Sequence, residues 1–407
     1  MRLSTILVRS ARQLLTLRGH GKPRSGGALN EVNPIVDGAV LIRDGFVVEV
    51  GPTRRLENLA GARQATVIDA SGRVVMPGFV DSHTHLAFPC VPGDDDEAVR
   101  RIRTSSGQRI EARARTFLAA MARHGTTTVE VKTGCGADES AESKLLRVLA
   151  AMQGDPLDLV PTVLCRLPYG DAASTSKRLA ADLLPKIHRR KTAQFADILC
   201  NGDPRLLPFY DFCLQAARSL GFECKVHADS AQLTDVIGLA VRHRARSIDH
   251  LEHASAADAE RIGNAGLLAT LLPISCFHEG GPQPPARALI DAGAAVAIAT
   301  NFNPQHSPTL NMQTAVELAC LSFGMTIEEA IVSATINGAH AVGLANRVGS
   351  LEPGKLGDLV VLNVSDYRDL RNSLGTNVVH QTIKNGNVIY EEGEVSMRPD
   401  CGISLVI

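Results

Sequence analysis

Residues 76–88 read MPGFVDSHTHLAF, a short apolar run behind Pro77-Gly78 that ends in His83 and His85. A short apolar run bounded by turn residues reads as a buried strand. Alternate side chains of an extended chain share one face, so both imidazoles can reach one cation from the strand's end. Downstream the same rhythm repeats. Apolar runs at 127–132, 159–164, 196–199, 223–227, 247–250, 268–272 and 295–300 alternate with amphipathic stretches such as 109–124, 141–152, 206–220 and 233–242. Together with 78–81 this makes eight strands alternating with helices, the pattern of a (β/α)8 barrel.

The flanks have a different texture. Runs at 39–42, 46–50 and 66–68 are separated by Asp44-Gly45, Gly51-Pro52 and Ser71-Gly72, and 19–33 reads as a Gly/Pro/Ser/Asn-rich loop. After Ala345 the runs 358–362, 378–382 and 387–390 alternate with Pro353-Gly354 and Asn385-Gly386. Chain ends commonly lie close together, so the two β-rich flanks can pair. The expected class is α/β: a (β/α)8 TIM-like barrel over 73–345, with a small β-sandwich domain built from both termini, 1–72 and 346–407.

Composition narrows the partners. The 407 residues carry 42 basic and 43 acidic side chains, a formal net charge of −1. Nothing in that balance points to nucleic acid or an anionic membrane. No secretory signal and no membrane span is expected, and nine dispersed cysteines without a C-x-x-C pair read as reduced thiols of a cytoplasmic protein.

Four histidines sit where barrel chemistry is done. His83 and His85 follow the first strand, His227 ends the strand of Lys225-Val226, and His250 ends that of Ile248-Asp249. Active sites of such barrels lie at the C-terminal strand ends. One histidine there is ordinarily satisfied by a backbone carbonyl; four in matching places point to a metal site. Asn301 follows the last strand at the same level.

The chain resembles the amidohydrolase superfamily, and within it the imidazolonepropionases. The resemblance is carried by PGFVDSHTHLAF (77–88), HGTTTVEVKTGCG (124–136), KVHADS (225–230), IDHLEH (248–253), ATNFNPQHSPTLNM (299–312) and GSLEPGKLGDLVVLN (349–363), which come in family order over nearly the whole chain. It implies one divalent metal ion, zinc or iron, held by His83, His85, His227 and the residue at 301. It also implies that His250 helps activate water and polarise the scissile carbonyl, and that Asn303 contacts substrate. The resemblance further implies a homodimer. Lys132 matches a family lysine, with Glu130 beside it as an acceptor or barrel residue.

This sequence departs from the family at named positions. Asn301 stands where the family has an aspartate that binds the metal and takes the proton of the attacking water. An amide oxygen can coordinate but cannot accept that proton. Pro92 replaces the arginine that meets the substrate carboxylate, Cys135 a tyrosine, and Ser230 the glutamate after H-A-D. Arg166, at a neighbouring strand end, is the candidate replacement cation, with a structural arginine as the alternative. Asp229, Asp249, His253, His278 and His306 are near enough to serve as a substitute base. The expected activity is hydrolysis of a non-peptide carbon–nitrogen bond in a small cyclic amide or amidine, with an altered substrate site. The competing reading is a catalytically impaired barrel that binds small molecules or acts as a scaffold.

Overall fold

The computed structural model describes residues 5–19, 21–88, 95–136, 138–168, 170–228, 235–303 and 307–393. Eight parallel strands build its centre: β6 (Phe79–Asp81), β7 (Thr126–Lys132), β8 (Asp158–Cys165), β9 (Phe195–Leu199), β10 (Glu223–Ala228), β11 (Ile248–His250), β12 (Leu268–Leu271) and β13 (Ala295–Ile298). They pair in sequence order, and a parallel bridge between Thr84 and Phe302 joins the two edges just past β6 and β13. All eight expected strands are present, within three residues at each end.

The strands are built with two chemistries. Cys224, Val226, Ala196, Ile198 and Ile248 are buried in the main apolar core with the surrounding helices. The alternate positions are polar: Glu130 and Lys132 on β7, Asp197 on β9, Lys225 and His227 on β10, and Asp249 on β11, all at most 3% exposed. Period-two alternation assigns one set to each face. Register then aligns the polar set across strands, with Lys225 opposite Asp197 and His227 opposite Asp249. The barrel interior therefore holds a charged layer beneath the strand ends that bear the histidines.

A second, mixed sheet is made from both ends of the chain. It contains β1 (Thr5–Leu15), β2 (Pro34–Arg43), β3 (Phe46–Pro52), β4 (Thr66–Asp69), β5 (Val74–Pro77), β14 (Leu359–Leu362), β15 (Val379–Lys384) and β16 (Asn387–Glu391). β5 pairs with β1 in parallel and with β14 antiparallel, which stitches the two termini together. The stretch 19–33, expected to be loop throughout, includes a short 3-10 helix, Gly26–Asn30, that buries Leu29. Two strands had no clear sequence signal. β1 carries a register shift between Val8 and Ala11 that breaks its alternation. β5 runs into β6 across Gly78, so the two read as one apolar run. A Cβ on Gly78 would lie 2.3 Å from Thr127 Cγ2, and only glycine lets the chain cross between the sheets at that distance.

Candidate metal centre

The segment bearing His83 and His85 leaves β6 at Asp81 and stays extended because its backbone is tied on both sides. Thr84 O accepts from Lys132 N at 2.9 Å, and His85 N donates to Phe302 O at 2.9 Å. The Thr84 hydroxyl donates to Glu130 O at 2.6 Å. The two rings are thereby held 5.4 Å apart, centroid to centroid. His227 joins them from β10, and one nitrogen of each of the three imidazoles lies within 4.8 Å of the others.

Burial keeps His83 and His227 in their ligand form. It pushes the pKa of His83 well below the ordinary imidazole value, helped by the Lys132 charge and opposed by Asp249. Burial does the same at His227, helped by His250, Lys132 and His85. Neutral imidazoles are the metal-binding species. His83 Nδ1 lies 2.7 Å from Asp249 Oδ2, which assigns that nitrogen the proton and leaves Nε2 as the free donor atom. Nε2 is buried and has no hydrogen-bond partner among the described residues. Three imidazoles with such an atom fit a divalent ion of borderline softness.

His250 reaches the same space through an unusual backbone. Asp249 points into the barrel, so the next side chain of a regular strand would point out. Instead His250 has φ +80° and Leu251 φ +71°. Two successive non-glycine residues in the left-handed region cost of order 1–3 kcal/mol each. The result is a His250 ring 4.3 Å from that of His227 and 5.3 Å from that of His83. Glu252 folds back, so that His250 Nδ1 lies 3.0 Å from its Oε1. Burial pushes the Glu252 carboxyl up, but His250 outweighs it and holds the group below its ordinary value. The sequence reading did not single out Glu252; its signal was its place two residues after a strand-end histidine.

Asn301 is pinned at the same barrel end. Thr300 before it donates to both oxygens of Asp81, at 3.0 and 2.6 Å, and Phe302 after it accepts from His85 N. Asn301 has φ +52°, which a short polar side chain tolerates better than most. Its Nδ2 donates to Ser275 Oγ at 3.3 Å, and its Oδ1 is buried without a hydrogen-bond partner among the described residues. A buried amide oxygen that no hydrogen-bond donor reaches, at the barrel end that carries the histidines, is a lone pair open to a cation. Ser275 and Cys276 lie in the first turn of a helix, Pro273–Glu279, that supports two site residues at once, since Cys276 Sγ also contacts Glu252 Oε1 at 3.8 Å.

The remaining candidates divide. Cys135 and Arg166, at the ends of β7 and β8, line a cavity of about 760 Å³ with Gly134, Leu199 and Asn201. The Arg166 guanidinium lies 5.5 Å from the Phe88 ring centroid. Burial, reinforced by Glu142 and Asp138, pushes the Cys135 thiol well up, so it stays protonated. Asn303 is tied by backbone hydrogen bonds to Ser307, at 3.1 and 2.8 Å. Among the substitute bases, His253 and His278 are exposed, and Asp249 is committed to His83. Asp229 and His306 lie outside the described residues, as do Pro92 and Ser230. Against burial, Asp197, Glu130 and Asp249 hold Lys132 as an ammonium. The described cysteines are free thiols, and among the described residues no helix is long and apolar enough to cross a membrane.

Known proteins share both the pattern and the fold. The model of the Amidohydrolase family matches residues 66–96 and 92–390. The imidazolonepropionase of Geobacillus kaustophilus is 34% identical over 419 residues, covering 96% of this chain and 99% of its own. That of Clostridium tetani is 32% identical over 423 residues, covering 96% and 100%. Among solved structures, E. coli guanine deaminase superposes with a TM-score of 0.71 at 17% identity, covering 95% of this chain and 99% of its own. A triazine hydrolase from Arthrobacter aurescens superposes with a TM-score of 0.74 at 17% identity, covering 95% of each chain. These two likenesses concern the fold alone. With the family pattern running the length of the chain and the histidines gathered at one barrel mouth, the chain belongs to the amidohydrolase family, as an imidazolonepropionase-like hydrolase of carbon–nitrogen bonds.

Proposed function

We propose that this protein is a hydrolase that uses one divalent ion, zinc or iron, to open a non-peptide carbon–nitrogen bond in a small cyclic amide or amidine. The observation that carries this reading is the buried cluster of His83, His85 and His227, with burial holding His83 and His227 neutral. These three and Asn301 Oδ1 are the proposed ligands. A divalent ion there supplies a Lewis acid that acidifies water and polarises a carbonyl. Asn301 has no basic oxygen, so proton transfer falls to His250. Glu252 holds the His250 proton on Nδ1, which leaves Nε2 as the acceptor atom. After accepting the proton, the same nitrogen delivers it to the departing ring nitrogen. Arg166 beside the cavity is the proposed anchor for an acidic substituent, in the role that Pro92 does not fill. Imidazolonepropionases supply a guide to the ring; the altered positions set this substrate apart from theirs.

The test is metal analysis of native protein beside Asn301→Asp, with turnover measured across lactams, imidazolones and hydantoins. About one ion per chain in the native protein, with turnover of one ring class, is expected. A native protein without metal or turnover, set against an Asn301→Asp protein that gains both, would establish the impaired binding protein instead. Asn301 is the specific observation favouring that second reading.

A further inference from the structure

We infer that Asp249 carries, behind His83, the negative charge that Asn301 does not bring to the metal. The inference rests on the metal-hydrolase reading above. Five side chains form a closed ion-pair set inside the barrel. Lys132 Nζ lies 2.6 Å from Asp197 Oδ2, 3.2 Å from Asp249 Oδ2 and 3.4 Å from Glu130 Oε2. Lys225 Nζ lies 2.5 Å from Glu130 Oε2 and 3.7 Å from Asp249 Oδ2. Every one of these side chains is fully buried. Three carboxylates against two ammoniums leave one negative charge in excess. A buried excess charge is costly unless a cation lies near it.

The bonding shows which carboxylate holds the excess. Glu130 is engaged by Lys225 and by the Thr162 hydroxyl at 2.5 Å, and Asp197 by Lys132. Asp249 reaches the two ammoniums only at 3.2 and 3.7 Å, longer than the 2.6 and 2.5 Å contacts that Asp197 and Glu130 make. Its short contacts go to Ser247 Oγ at 2.5 Å and to His83 Nδ1 at 2.7 Å. The surplus charge therefore rests against an imidazole whose opposite nitrogen is bare, buried and part of the proposed ligand set. A carboxylate behind a ligating histidine fixes the ring and makes the outer nitrogen a stronger donor. Three imidazoles and an amide oxygen contain no anion, and Asp249 brings one within a single ring's width. Asn301 then needs only to offer an oxygen.

Removing the charge should leave the barrel intact. In Asp249→Asn the set becomes two carboxylates against two ammoniums, with the shape unchanged. The experiment measures the zinc dissociation constant by chelator competition for four full-length proteins: native, Asp249→Asn, Asn301→Asp and the double variant. Asp249→Asn is expected to weaken zinc about 10–100-fold. The double variant is expected to return to within about threefold of native, because it restores the same charge at another position. Structural damage would not be repaired in this way. Should Asp249→Asn fail to fold, Ser247→Ala removes only the hydroxyl on the other carboxylate oxygen, and a loss of about threefold is expected. Zinc binding unchanged by Asp249→Asn, or by Ser247→Ala in its place, would overturn the charge role alone. A double variant that stays as weak as Asp249→Asn would overturn it too. A native protein that binds no zinc would overturn both this inference and the metal-hydrolase reading.

Discussion

At the scale of the residue, three side chains test the proposed centre. Asn301 keeps the left-handed backbone that Asp also adopts, so its replacement by Asp should be tolerated in the fold. Glu252 holds His250 Nδ1 at 3.0 Å, so its proposed part in turnover runs through that ring. Glu252→Gln weakens the acceptor on Nδ1 and should lower kcat about 10–100-fold while metal content, read by atomic absorption, stays unchanged. Equal loss of metal and turnover would instead make Glu252 a fold residue. Arg166 faces the cavity at the end of β8. Arg166→Met should raise KM for carboxylate-bearing rings about 10–100-fold with little change in kcat, the signature of lost uniform binding. An unchanged KM would return Arg166 to a structural role.

At the scale of the element, the loop after β7 rests on one buried acid. Glu142 lies in the helix Glu139–Ala151, and its Oε1 accepts from Thr133 Oγ, Gly134 N and Cys135 N at 3.1, 3.4 and 3.0 Å. Burial nevertheless raises its pKa from 4.5 to about 7. A folded-state pKa above the unfolded value means that the folded protein binds the proton more tightly. The contribution to stability is then full below pH 4.5 and is lost as pH rises through about 7. Glu142→Gln should flatten this part of the stability curve, worth about 3 kcal/mol, when urea midpoints are compared at pH 5 and pH 8. Parallel curves for the two proteins would show that Glu142 does not carry the dependence.

At the scale of the whole molecule, the barrel and the terminal sheet are locked by a buried cation. Lys384 Nζ, on β15, lies 2.8 Å from Asp358 Oδ2 and 2.8 Å from Asp158 Oδ2, the latter on β8. Lys384→Met would leave Asp358, only 3% exposed, without its counter-charge. The expected loss is about 3–5 kcal/mol in chemical denaturation, far above that of an exposed ion pair. A loss below 1 kcal/mol would mean that the two units are held by apolar packing instead.

The sequence by itself determined the alternation of the barrel and the four histidines at strand ends. Those features are local: a strand announces itself by an apolar run, and a strand end is counted from it. The same logic failed at β1, where a register shift breaks the alternation, and at β5, which fuses with β6 across Gly78. Only the tertiary structure decided what surrounds the histidines. Asp197, Lys225 and Asp249 are isolated charges in the sequence, and strand register alone places them in one buried layer with Glu130 and Lys132. Glu252 became a partner of His250 only through a left-handed turn that no neighbouring glycine announces. Local periodicity determines which residues are strand and which face they share. The energy of a buried charge depends on what lies across the barrel, and that distance is a property of the closed fold.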